Sequence, residues 1–498
     1  MAPDGSWTRA AFTDFCNGPT MLRRMSRPSQ LENCITRFGM FRMLDRITRI
    51  VNSGRLLASW TKLRLDARDY PGPFLHAESG TTQSAVERSP HILLFAWDFP
   101  PAINGGVYRP HSLAKHAAKA GWQVTVLSGP LEEQEGAAGV DLLKSLPPAV
   151  KIFRAPRAQA PSYRLIPKSG DGCFPEIITA SHAAVEACRQ TEPTVILASG
   201  PPFHTFFSAY FAARRFRVPL VLEYRDEWCV HTPHFVDATA FDKKWEERLL
   251  RFASNVIFVT DATRDLYLAS IGSLDSKKCF VVPNGWDPDD FFDEAAASAS
   301  KSIVACDRFV ISFVGTIGLH TDPSSFLARF QEVMARRPAL RECLLVRFAG
   351  PKTAEKGRYL LANFRDQFPN SIELVGGVAK SAAIAEMRHA DALLLLLDPF
   401  YDTSIPGKLY EYLAAGTPIL AFGETGIAAD LVRRLGAGIV VPTDDSFPLE
   451  AAFYRLLKQP REQWDTPDRK AWVVNHTRGE LATKIMNVLG SAATCIPG

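Results

Sequence analysis

Lys408 and Glu411 stand three residues apart in a segment that reads SIPGKLYEYLAAGTPILAF. Ser404-Ile405-Pro406-Gly407 follows an apolar run and leads into a helix expected over 408–415. Gly416 can take the left-handed position after it, and Pro418 blocks continuation. A lysine in the first turn sits beside the positive end of the helix, which is unfavourable unless an anion is also there. The helix N-terminus with Lys408 in its first turn therefore reads as a site for a diphosphate. Glu411 lies on roughly the same face and could accept hydrogen bonds from two ribose hydroxyls. The plainer alternative is a solvated Lys/Glu pair. Both side chains read as exposed, so replacing either should cost little stability.

Three more clusters follow apolar runs. Asp98 to Gly106 precedes a helix containing Arg109; Gly105 and Gly106 either let backbone approach a ligand closely or only turn the chain. Gly200-Pro201-Pro202-Phe203-His204-Thr205 puts His204 at a helix start, as an acceptor or phosphate contact or as a first-turn residue without a task. Arg225-Asp226-Glu227-Trp228 concentrates charge, which is costly unless paired or exposed. Arg225 and Asp226 either shape the loop, or Asp226 orients or deprotonates an acceptor hydroxyl and Arg225 meets a phosphate.

These clusters need elements to hold them. From His91 onward short apolar runs alternate with helical segments: HILLFAWDF, WQVTVLSG, VKIFRAP, TVILASG, PLVLEYRD, NVIFVTD and KCFVVPNG, then from Phe309 RFVISFVGT, LLVRFAGP, SIELVGG, DALLLLLD, TPILAFG and AGIVVPTD. Near-continuous apolar strands alternating with helices imply parallel sheets covered on both faces. Two such series predict an α/β chain of two Rossmann-like, doubly wound domains facing across a cleft, with ligands at the carboxyl ends of the strands. The expected division is a basic helical extension and linker over 1–88, an N-terminal domain over 89–295, a C-terminal domain over 296–471, and a helix over 472–498 that could pack back across the domains. The link between the domains is expected within 284–301.

Composition narrows the function classes. The chain has 498 residues with a net charge of +4, which gives no reason to expect nucleic acid as a partner. Nine scattered cysteines without a CxxC suggest reduced thiols and no metal site. The longest apolar run falls far short of a membrane span, and no signal-peptide pattern opens the chain, so a cytoplasmic protein is expected. Between residues 21 and 65, ten Lys or Arg face only Glu32 and Asp45, with apolar residues at helical spacing. That pattern fits a helix docked on the main body or one lying on an anionic membrane surface at its inner face.

The ordered set PPAINGGVYRPHSLAKHAAKAGWQVTVLSG, ASGPPFHT, VPLVLEYRDEW, VPNGWDPDDF, FVGTIG and SIPGKLYEYLAAGTPILAF resembles the retaining, GT-B-fold glycosyltransferase family 4 of bacterial cell-surface polysaccharide synthesis. The resemblance covers about 90–480. It implies an enzyme that takes a nucleotide diphosphate sugar, needs no metal or other cofactor, and glycosylates a saccharide or lipid-linked acceptor. It further implies that Gly105 and Gly106 border the donor phosphates, that Gly315 and Thr316 lie near the diphosphate, and that the segment at Gly377 and Val378 receives the base. Lys408, Leu409 and Glu411 would hold phosphate and ribose; Asp226, Arg225 and His204 are the candidates for catalysis. Many members carry an acidic pair eight residues apart around the Lys408 helix; here the earlier position is Thr403, with Asp402 beside it. Many carry an Arg and a Lys where GLHTDP stands here, and a histidine where Arg225-Asp226 stands. An epimerase of the same fold and a non-catalytic nucleotide-sugar-binding protein are the alternatives.

Overall fold

The computed structural model describes residues 89–131, 137–157, 174–233, 238–291, 308–318, 321–350, 355–376 and 378–497, together with 58, 61, 74–76 and 236. The chain forms two compact units, 1–62 with 159–167, and 63–158 with 168–498. The basic stretch between 21 and 65 lies outside the described residues except for positions 58 and 61.

The second unit carries two parallel sheets. The first is built from β1 (His91–Phe95), β2 (Gln123–Ser128), β3 (Lys151–Arg154), β4 (Val195–Gly200), β5 (Leu220–Tyr224), β6 (Asn255–Phe258) and β7 (Cys279–Val281), in the order β3-β2-β1-β4-β5-β6-β7. Ile92 pairs with both Val124 and Val195, and every residue of β1, β4 and β5 is buried. This is why these strands read as unbroken apolar runs: helices cover both faces. The second sheet comprises β8 (Phe309–Val314), β9 (Leu344–Ala349), β10 (Ile372–Val375), β11 (Ala392–Leu396), β12 (Ile419–Phe422) and β13 (Gly438–Val441), in the order β10-β9-β8-β11-β12-β13. The expected pair of doubly wound domains is thus present. Strand order reverses between β1 and β4 in one sheet and between β8 and β11 in the other, and each reversal leaves a crevice at the carboxyl ends of the strands.

The helices that position the site are α1 (Tyr108–Lys119), α2 (His204–Phe216), α3 (Asp261–Ser270), α4 (Lys380–His389), α5 (Gly407–Ala414), α6 (Pro467–Val474) and α7 (Arg478–Ala493). α7 follows the second sheet in sequence but belongs to the core of the first. Leu481, Ile485 and Leu489 pack there with Ile92, Leu113 and Val195, and Asn255 Nδ2 donates to the Val488 carbonyl at 3.0 Å. The two passages between the sheets are stitched together. Trp286 N–H donates to His476 O at 3.2 Å, Arg478 N–H to Trp286 O at 2.8 Å, and Trp286 Nε1 to Val473 O at 2.8 Å. The far end of α5 is held by Arg469, a fully buried guanidinium that donates to the carbonyls of Tyr412, Leu413, Trp464 and Thr417. Tyr412 and Leu413 stand in the last turn of α5, where carbonyls run out of intrahelical donors.

Candidate functional site

A cleft of about 810 Å³ opens where the carboxyl ends of the two sheets face each other. Asp98, Gly105, Gly106, Arg225 and Asp226 line it from the first sheet, Gly315, Thr316, Lys408 and Glu411 from the second, and Arg478 from α7.

α5 starts at Gly407, and Pro406 before it offers no side-chain cap to the first-turn amides. Lys408 Nζ is buried and makes no hydrogen bond among the described residues. It rests over the Phe313 ring, 3.9 Å from the centroid. Gly315 above it has φ +136°, and a Cβ there would come within 3.2 Å of Nζ. Only glycine takes that backbone angle cheaply and leaves that approach open. Burial pulls the ammonium down to about 7, and nearby Glu411 offsets this only in part. The result is a buried amine at a positive helix end with no hydrogen-bonded anion among the described residues, not the exposed side chain expected from sequence. Leu409 does not share the site: its side chain lies in the core of the second sheet and its N–H donates to Pro406 O at 2.9 Å. Thr316 lies on the wall, and its carbonyl accepts from Thr321 Oγ1 at 3.0 Å.

Glu411 is also withdrawn from solvent, its side chain 12% exposed. Its carboxylate is hydrogen-bonded to Lys380 at the start of α4 and lies 3.8 Å from Arg478 at the start of α7. Asp290 completes the cluster, 3.9 Å from Lys380 and 3.6 Å from Arg478. Both cations sit over the Tyr108 ring, 5.0 and 5.3 Å from its centroid. Burial would raise the Glu411 carboxyl, but Lys380 and Arg478 outweigh it and hold the group below its usual range.

On the opposite wall the Arg225 guanidinium is committed to backbone. It donates to Gly106 O at 2.8 Å, to Gly200 O at 3.3 Å and to Pro201 O. Arg225 therefore braces the Gly105-Gly106 turn and is not free to meet a phosphate. A Cβ at Gly106 would fall 3.0 Å from Asp98 Oδ2 and 3.1 Å from Arg225 Nη1, whereas one at Gly105 would meet nothing within 4 Å. Asp226 faces the cleft. Burial raises its carboxyl to about 6, with Arg225 pulling down and Glu227 pushing up. His204 is absent from the cleft wall: it is 2% exposed, with its ring edge-on to Trp97 at 4.3 Å. Arg109 is also occupied, donating to Glu223 Oε1 at 3.0 Å and to Val282 O at 2.8 Å. Val378 does not line the cleft, and Gly377 lies outside the described residues. Among the described residues no group of three or more His, Cys, Asp or Glu side chains is placed to hold a metal ion.

Residues 104–285 match the family described as glycosyl transferase 4-like domain, and residues 308–459 match glycosyl transferases group 1. The two matches fall on the two sheets that form the cleft, in the same order. The chain is a GT-B glycosyltransferase. Solved structures agree on the fold. Sucrose-phosphate synthase from Thermosynechococcus elongatus is 16% identical, with a TM-score of 0.62 over 80% of this chain and 98% of that one. A glycosyltransferase from Rickettsia africae is 13% identical, with a TM-score of 0.60 over 81% and 98%. HepE from Anabaena, solved in complex with UDP-glucose, is 17% identical, with a TM-score of 0.58 over 80% and 99%. No curated protein matches the chain by sequence.

The sequence reading of this glycosyltransferase missed Lys380, Arg478, Asp290 and Tyr108. Lys380 stands two residues past Val378 and opens a helix, which was a usable signal. Arg478 had none, because only the return of α7 to the first sheet brings it to the cleft.

Proposed function

We propose that this glycosyltransferase moves a sugar from a nucleotide diphosphate sugar to an acceptor hydroxyl, with retention at the anomeric carbon and without a metal ion, in the assembly of a polysaccharide or glycolipid. The observation that carries the reading is Lys408, a buried ammonium without a hydrogen-bond partner among the described residues at a cleft-facing helix N-terminus. A diphosphate would supply the missing negative charge. That charge grows as the sugar departs, so the contact strengthens in the transition state. Gly315 and Thr316 would lie beside the diphosphate, with Gly105 and Gly106 across from it. Glu411 would accept from the ribose once its hold on Lys380 loosens. Asp226 would orient or deprotonate the acceptor hydroxyl, the acceptor being a saccharide or a lipid-linked one. The UDP-glucose complex of HepE supports a nucleotide-sugar donor. The basic stretch between 21 and 65 would bring the enzyme to an anionic membrane face.

Thermal denaturation with uridine, guanosine and adenosine diphosphates, each in excess chelator, tests the donor site. At ligand about 100 times its dissociation constant the gain is roughly 2.7 kcal/mol. Lys408→Met should abolish that gain. No shift of the wild type with any of the three would remove the reading. Retention is checked by the anomeric configuration of the product made from the donor that stabilises the protein.

A further inference from the structure

A carboxylate reaches Thr403 from the other half of the molecule. Thr403 Oγ1 donates to Glu227 Oε1 at 2.7 Å across 176 residues of chain. The same oxygen accepts from Thr263 Oγ1 of α3 at 3.0 Å. Thr260, just before α3, donates from Oγ1 to the Thr403 carbonyl at 2.8 Å. Glu227 is 1% exposed, and a carboxylate so deeply buried is costly unless its oxygens are bonded. Hydroxyl donors to an ionised carboxylate give the stronger class of hydrogen bond. Neither half of the molecule can form this grip alone, because Glu227, Thr260 and Thr263 follow strands of the first sheet and Thr403 precedes α5 of the second. A stack of His231 on Phe400, 4.3 Å between centroids, lies in the same two segments.

What flanks Glu227 gives the grip its consequence. Arg225 is tied to Gly106 and Gly200 through backbone carbonyls. Trp228 is fully buried, stacked on Phe203 at 5.1 Å, and its N–H donates to Tyr267 Oη at 2.9 Å. Asp226 and Glu227 therefore lie together between two anchored residues, and a displacement of Glu227 is shared with Asp226 rather than absorbed by slack backbone. On the other side, Thr403 leads directly into Ser404-Ile405-Pro406-Gly407, which sets the start of α5 and so the place of Lys408.

We propose that Glu227 is a positioning residue whose grip on Thr403 sets the separation between the acceptor-side carboxylate of Asp226 and the donor-side loop at Ser404–Gly407. The proposal rests on the reading of the cleft as a donor and acceptor site. It assigns Thr403 to alignment of the two halves, holding the two sides of the cleft in register. Reacting groups misplaced by about an ångström can lose as much as 100-fold in rate, so the grip should be visible in turnover.

Thr403→Val keeps the shape and removes the hydroxyl; Thr403→Ser restores the hydroxyl alone; Glu227→Gln keeps the size and removes the charge. Hydrogen exchange is measured over residues 404–410, and turnover and nucleotide diphosphate affinity are measured with the nucleotide sugar that stabilises the wild type. Thr403→Val should raise exchange over 404–410 and lower turnover about ten- to a hundred-fold, with a several-fold smaller loss of nucleotide affinity. Thr403→Ser should return both to wild-type values, and Glu227→Gln should fall between. A merely structural role would lower affinity and turnover to the same extent, and that result overturns the proposal, as does wild-type exchange and turnover in Thr403→Val. A wild type that binds no nucleotide would remove the donor-site reading instead. Exchange would then decide alone: protection lost in Thr403→Val and regained in Thr403→Ser supports the grip, and unchanged protection overturns it.

Discussion

Lys408 and Asp226 both face the cleft, and burial moves the protonation of each toward neutrality, in opposite senses. The Lys408 ammonium falls to about 7, so in the free protein it is largely neutral above that pH. A diphosphate favours the charged form, and binding well above pH 7 should therefore take up close to one proton. Titration calorimetry in buffers of different ionisation enthalpy should show that uptake, with affinity falling as pH rises, and Lys408→Met should show neither. In stability the sign is opposite. The unfolded chain binds more protons than the fold between about 7 and 10.5, so the free protein gains stability as pH rises through that window. Asp226, raised to about 6, must be ionised to take a proton from an acceptor. Turnover should rise with pH through about 6, and Asp226→Asn should remove that limb and lower turnover about 100- to 10,000-fold with nucleotide affinity kept. Wild-type turnover in the asparagine variant would make Asp226 structural. Its raised carboxyl also stabilises the fold below about 4, an effect lost as pH climbs through 6.

α4, α5 and α7 each bring one charged residue of their first or second turn to the same point, and that meeting changes what Glu411 can do. With Lys380 hydrogen-bonded to it and Arg478 at 3.8 Å, the carboxylate must share itself before it can serve a ribose. Lys380→Ala should free it and tighten nucleotide binding at low salt, provided Arg478 keeps the site near neutral. Glu411→Ala should raise the donor Michaelis constant roughly ten- to a hundred-fold with turnover largely kept, because the ribose does not change during transfer. It should also destabilise the fold by about 3 kcal/mol or more, since it leaves Lys380 and Arg478 close together with less counter-charge. Steady-state kinetics and urea melts of the two variants check both statements. Tighter binding in Glu411→Ala would displace the ribose from α5.

At the scale of the whole molecule, the sheets meet through the stitched passages at Trp286 and His476, through α7, and through the Glu227–Thr403 contact. Both sheets and α7 lie within residues 89–498. A chain beginning at residue 89 should therefore fold and keep the nucleotide-dependent rise in melting temperature. Vesicles with anionic lipid should retain the full-length protein and release it as salt is raised, and should not retain the shortened one. Equal retention of both forms would reject a membrane role for the basic stretch. No described helix is long and apolar enough to cross a membrane.

The sequence by itself determined what depends on neighbours along the chain. Unbroken apolar runs such as Ile92 to Phe95 and Leu393 to Leu396 announced strands buried on both faces, and their alternation with helices announced two doubly wound halves. Pro406-Gly407 and Gly416 bracketed α5 closely, because helix ends obey local backbone rules. Tertiary structure decided burial and pairing, which no spacing encodes. A lysine and a glutamate that looked solvated became enclosed once α4 and α7 closed over α5. Arg225, legible as a charge beside Asp226, turned out to be consumed by the Gly106 carbonyl 119 residues away. His204 stands at the helix start expected of it, yet that turn directs its ring toward Trp97 and away from the cleft. Thr403 looked like a lost acid until the fold brought Glu227 to it. In each case the deciding energy is the removal of a charge or polar group from water, and that depends on which distant segments pack around it.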